Sequence, residues 1–151
     1  MREILFRAKR IDNGEWVEGY YIYHIKRTIC PIGDSVKPED EQHVIMQDGF
    51  SDWNMPRNTV VFDIDPETVC QYTGLTDKNG KRIWENNIVR IKNSMDEGIG
   101  NIEFYGGMWY VDGEPSNSLH DIVEYDDGEL EVIGNIFDNP ELLKGGLTCR
   151  N

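Results

Sequence analysis

The chain has 151 residues, of which 28 are acidic and 15 basic, giving a formal net charge of −13. A chain of this size makes one ordinary domain or two small packed ones and buries about two-thirds of its unfolded surface, so neither disulfides nor a metal are needed for folding. Apolar residues and aromatics spread along the chain exclude wholesale disorder. The charges interrupting Met1–Arg7 exclude a signal peptide, and no apolar run reaches membrane-spanning length, so the expected location is the cytoplasm.

In chain order, Ile4–Arg10 and Trp16–Tyr23 are rich in β-formers and flank Asp12-Asn13-Gly14, which predicts an opening β-hairpin. Thr28–Ile32 and His43–Gln47 read as short strands on either side of a polar loop, Gly33–Gln42. Thr59–Ile64 is a β-branched strand, and Asp65-Pro66-Glu67 combines an N-cap, a first-turn proline and an acid suited to the helix dipole. Gln71–Trp84 forms a second hairpin around Asn79-Gly80, and Asn87–Lys92 alternates at strand period. Asn101–Val111 repeats strand, glycine turn and strand; Ser118–Val123 gives one helical turn; Leu130–Ile136 gives a last strand; Asn139–Leu143 gives a short closing helix. The expected fold is mainly β. Short-strand hairpins lead to an SH3-like or related small barrel in the C-terminal half, with one or two short helices. The expected division is residues 1–68, a hairpin subdomain, and residues 69–151, a barrel-like subdomain, or the two as one continuous domain.

Charge is distributed unevenly. Residues 1–92 hold 15 acids and 13 bases, whereas residues 93–151 hold 13 acids and 2 bases, with no Lys or Arg between Lys92 and Lys144. Such a half repels phosphate, which disfavours direct DNA or RNA binding there. Cys30, Cys70 and Cys149 are an odd, widely spaced set without a Cys-x-x-Cys pair, so no disulfide and no zinc site are expected. Cys30, preceding Pro31 in a strand-like run, reads as a small buried hydrophobe rather than a nucleophile.

Four blocks carry a family resemblance. They are Arg2–Lys9 followed by Gly14–Tyr20, then Val69–Gly80, Ile83–Val89 and Val132–Leu143. In this order and spacing the chain resembles the YopX family across nearly its whole length. The family usually has Gly-Asp where this chain has Asn86-Asn87; Asn tolerates the left-handed conformation, so the turn should survive while any role of that Asp is lost. The resemblance implies a phage or prophage setting, hence a host bacterial cytoplasm, and a β-rich fold. It carries no catalytic residues across.

No enzyme motif stands out. His24, His43 and His120 lack metal-ligand spacing, and there is no phosphate-binding glycine loop, dinucleotide fingerprint or nucleophile elbow. No catalytic residue, metal site or cofactor is assigned. The densest acidic stretch supplies the candidate partner face: Asp121, Glu124, Asp126, Asp127, Glu129 and Glu131. Its spacing does not match an EF-hand, and it reads as a solvated turn or as a face imitating the field of nucleic acid, which presents about one charge per 1.7 Å. Trp16, Tyr20, Tyr21, Tyr23, Trp84, Phe104, Trp109 and Tyr110 lie in predicted strands, where alternation turns some outward to anchor a protein or stack bases. The leading class is a non-enzymatic protein-interaction module, self-associating through an edge strand or aromatic patch as a homo-oligomer or binding another protein. Its alternatives are a single-stranded nucleic-acid binder and an enzyme with an unrecognised site.

Overall fold

The computed structural model describes residues 3–92, 97–112, 118–124 and 129–145. The chain falls into two compact units, Ile4–Cys70 and Gln71–Asn151 with Met1–Glu3. The structure is mainly β, as the sequence predicts. Among the described residues no helix is long and apolar enough to cross a membrane.

In the first unit β1 (Phe6–Lys9) and β2 (Trp16–Ile25) make the opening hairpin, with Ala8 opposite Val17. Gly14 takes φ +71° in its turn, a conformation open to glycine at little cost. β3 (Glu41–Asp48) and β4 (Thr59–Asp63) extend an antiparallel sheet in the order β4-β3-β2-β1. A Cβ at Gly19 would lie 2.3 Å from the Met46 carbonyl oxygen, so only glycine permits this approach of β2 to β3. The sheet curls back on itself: the Ile11 N–H donates to the Asp63 carbonyl (3.1 Å) and the Asp65 N–H to that of Lys9 (2.9 Å). Ala8, Val17, Ile45 and Ile64 fill the concave side, with Phe6, Tyr21, Phe62 and Val69 packed around them. After β4, Asp65 caps a 3-10 turn at Pro66–Thr68 by accepting from the Glu67 N–H, as its sequence predicts.

Thr28–Ile32 is not a strand, contrary to its β-propensity. The Arg27 guanidinium reaches the carboxylates of both Asp34 and Asp40 (2.7 Å each). The Asp34 carboxylate also accepts from the N–H groups of Cys30 and Ser35. These bonds, together with a proline at 31 that has no N–H to give, hold the segment as a stapled loop. They draw the Asp34 carboxyl well below the usual carboxylate range, the Arg27 hydrogen bond first among them. Cys30 is consequently exposed, not buried as expected, and Cys70 is the buried thiol.

The second unit opens with the hairpin β5 (Cys70–Thr76) and β6 (Arg82–Trp84), followed by β7 (Asn87–Lys92), β8 (Glu97–Tyr105), β9 (Met108–Val111) and β10 (Glu129–Asn135). The last four form an antiparallel sheet in the order β10-β7-β8-β9. An antiparallel bridge joins Tyr110 of β9 to Ser118. The described strands close no barrel, and this short-stranded unit is compatible with the small-barrel relative expected from the sequence. The helix α1 (Leu119–Glu124) turns Leu119 and Ile122 onto this sheet. With Ile83, Val89, Ile102, Val111, Leu130 and Val132 they make the second core. A 3-10 turn at Pro140–Gly145 closes the described chain.

Two polar devices hold this unit. Asp77, nearly buried, accepts from the N–H groups of Asn79 and Lys81 with one oxygen and of Val132 with the other, which ties the β5–β6 turn to β10. Burial pushes its carboxyl up, but the three N–H donors together outweigh it and hold it below its ordinary value. Asn86 takes φ +62°, the left-handed turn expected of it, and Asn87 accepts from the Trp84 N–H while donating to the Gly134 carbonyl. Asn87 is therefore structural, and its donated bond is one that an ionised Asp could not make.

Candidate interaction surface

The acidic face predicted from sequence is divided by the structure. β10 pairs with β7 so that Glu129 faces Lys92 and Glu131 faces Arg90, while Lys92 faces Glu97 across the β7–β8 ladder. Lys78 adds a third cation, 3.0 Å from Glu129 and 3.7 Å from Glu131; Arg90 lies 3.5 Å from Glu97 and 3.8 Å from Glu131. Its hydrogen bond to Glu129 raises the Lys78 ammonium above the usual lysine range against partial burial. Together the six side chains, three of each sign, line a shallow cavity of about 180 Å³. Glu129 and Glu131 are thus neutralised by bases from earlier in the chain, in exposed pairs that water and salt screen. Asp121 and Glu124 are exposed on α1, whereas Asp126 and Asp127 lie outside the described residues. The acid-only span in sequence is not, over β10, an acid-only surface.

The first unit presents a different surface. Strand register places Tyr20, Met46 and Val61 side by side across β2, β3 and β4, with Ile22, the buried Val44 and Asp63 in the next row. Alternation puts this stripe on the convex side, away from Ala8 and Ile45. Tyr20, Ile22 and Val61 are exposed on it. The loop joining β3 to β4 continues the apolar surface: Phe50 is 91% exposed and Trp53 92%, with Met55 also exposed.

That loop is built, not slack. The Gly49 N–H donates to the Asn58 carbonyl (2.6 Å), the Met55 N–H to that of Asp52 (3.1 Å), and Asn54 takes φ +56° at the tip. The Asp52 side chain caps the Trp53 N–H, and Arg57 pairs with Asp48 at 2.9 Å. An ordered loop holding two fully exposed aromatics forgoes roughly 2 kcal/mol of burial for each, a cost that a partner's surface would return.

β4 also ends its sheet. Because the Ile64 N–H bonds the His43 carbonyl, alternation turns the backbone groups of Thr59 and Val61 away from β3 toward open solvent. At Asp63 the edge is already closed by Ile11. Beside it lies a groove of about 410 Å³ lined by Arg10, Ile11, Asp12, Val61, Phe62 and Asp63. Arg10 stacks on the Phe62 ring at 4.3 Å and bonds Asp12.

The remaining predicted residues sort as follows. Tyr20, Tyr23 and Phe104 point outward, while Trp84 is buried and pairs with Tyr72. Phe104 meets Trp109 at the β8–β9 tip (ring centroids 4.8 Å), where neither strand carries a Lys or Arg to draw phosphate. His43 is taken up by the Tyr21 hydroxyl at 2.7 Å, and burial pushes that phenol up. Among the described residues no three His, Cys, Asp or Glu side chains are grouped to hold a metal ion. Sequence reasoning missed Phe50, Trp53 and Met55. The available signal was their place: large apolar residues inside a Gly, Ser, Asp, Asn and Pro stretch between two strands.

The chain is similar to the crystal structure of protein EF1440 from Enterococcus faecalis, at 22% identity and a TM-score of 0.54 over 95% of this chain and 99% of that one. That likeness is one of fold. No curated protein matches the chain. The family described as YopX protein matches residues 5–144, in keeping with the four sequence blocks, and the chain belongs to the YopX family.

Proposed function

We propose that the chain is a non-enzymatic protein-interaction module, acting in the phage or prophage setting that its family resemblance implies and in the host cytoplasm. The observation that carries this reading is the pair Phe50 and Trp53, both more than nine-tenths exposed on a hydrogen-bonded loop beside the Tyr20–Met46–Val61 stripe. Large exposed aromatics on an apolar surface are frequent anchors of protein interfaces, and fixing them in advance lowers the ordering cost of binding. Neither of the two cavities described above favours an enzymatic reading: one is lined by three acids and three bases, and the other is a groove at a strand edge.

Imitation of nucleic acid by the acidic half draws no support from Glu129 and Glu131, whose charges are met by Lys78 and Arg90. Base stacking draws little from Phe104 and Trp109, which have no cation on their own strands. The test is affinity capture from bacterial lysate with the wild type and with Phe50→Ser/Trp53→Ser. Retained proteins should be lost with the loop variant and persist at high salt; retention unchanged by the variant contradicts the reading.

A further inference from the structure

We infer that the open edge of β4 is a self-association site: two copies join antiparallel, strand to strand, with Thr59 of each opposite Val61 of the other. The inference rests on the interaction-module reading above and names the partner as a second copy of this chain.

Thr59 and Val61 are the residues whose N–H and C=O groups face outward, and a free edge strand bearing Val60 and Val61 is a template for another strand. The register is limited by Ile11, which occupies the lane opposite Asp63. A twofold pairing centred on Val61 would drive the second copy's Thr59 into Ile11. Moving the axis to Val60 avoids this, and exchanges two N–H···O bonds between Thr59 and Val61 at each of two places.

Charge complements this register at Asp63. In this register the incoming chain leaves the lane at Asn58, which brings its Arg57 to Asp63 on the wall of the groove, next to Asp12, whose carboxylate is already held by Arg10. Arg57 gives up only an exposed pair with Asp48. The exposed Met55 of the incoming loop then reaches the apolar part of that groove, at Ile11 and Phe62. The twofold makes every such contact twice.

The test is sedimentation of the full chain over a concentration series, for the wild type, Arg57→Asp, Asp63→Arg and an equimolar mixture of the two variants. The wild type should dimerise, and each variant alone, which opposes like charges twice, should weaken the dimer at least about tenfold. Mixing the two variants sets opposite charges against each other again at both contacts, so a heterodimer should return at wild-type strength. A wild type that stays monomeric, a dimer indifferent to both substitutions, or variants that mixing does not rescue would overturn the pairing. A monomer whose captured proteins still depend on Trp53 overturns this inference alone. A monomer whose captures ignore Trp53 overturns the interaction reading with it.

Discussion

The outer face of β2–β4 and the charged face of β7–β10 are both exposed antiparallel sheet surfaces, yet they settle their side chains in opposite ways. On β7–β10, Glu97, Glu129 and Glu131 find Lys78, Arg90 and Lys92 within the same unit, so the surface satisfies itself. On β2–β4, Tyr20, Val61, Phe50 and Trp53 find no such cover among the described residues. The lesson is that a formal charge of −13 locates no binding site until the register of the strands is known, whereas a large apolar side chain held in solvent by an ordered loop does so directly.

The comparison can be broken or sharpened by substitution. The largest effect is expected at Asp77, where replacement by Ala strips the acceptor from three backbone N–H groups and should cost about 2–4 kcal/mol in denaturant unfolding. Next, Phe50→Ser/Trp53→Ser should leave unfolding free energy within about 0.5 kcal/mol of wild type. The same variant should weaken partner binding by about 2 kcal/mol or more, measured by titration calorimetry against the captured protein.

A smaller effect follows from pH. Because the Asp77 carboxyl is held below its ordinary value, its ionised form stabilises the fold fully above the ordinary carboxylate range. That contribution is lost as pH falls through the depressed value. Wild type should therefore lose more stability than Asp77→Asn when unfolding is compared at neutral pH and below about pH 4. The smallest effect is expected at Lys78→Ala, whose unfolding midpoint should fall barely below that of wild type, and by less still in high salt, since its ion pairs are largely solvated. A loss as large as that at Asp77 would show the charged face to be more than a self-paired surface.

Much of the fold was legible because the chain punctuates itself locally. Gly14, Gly80 and the pair Gly106-Gly107 adopt the positive φ angles that their hairpin turns require, and Asp65-Pro66 starts a 3-10 turn. Thr28–Ile32 was misread because Arg27, Asp34 and Asp40 close a loop that β-propensity cannot foresee. The site was less legible for a related reason. Neutralisation of Glu129 and Glu131 depends on Lys78, in the β5–β6 turn, and on Arg90, brought opposite Glu131 by pairing register; both lie roughly 40–50 positions earlier. The exposed stripe likewise joins three strands, so Tyr20, Met46 and Val61 form one row only in the folded sheet.

The most direct test of where this protein binds is amide hydrogen exchange along the whole chain, dilute, concentrated and with a captured partner. The account predicts slowing over residues 49–63, the neighbouring Tyr20–Ile22 segment and the Ile11–Asp12 wall of the groove, with residues 129–135 unchanged. Slowing over 129–135, or none over 49–63, would contradict it.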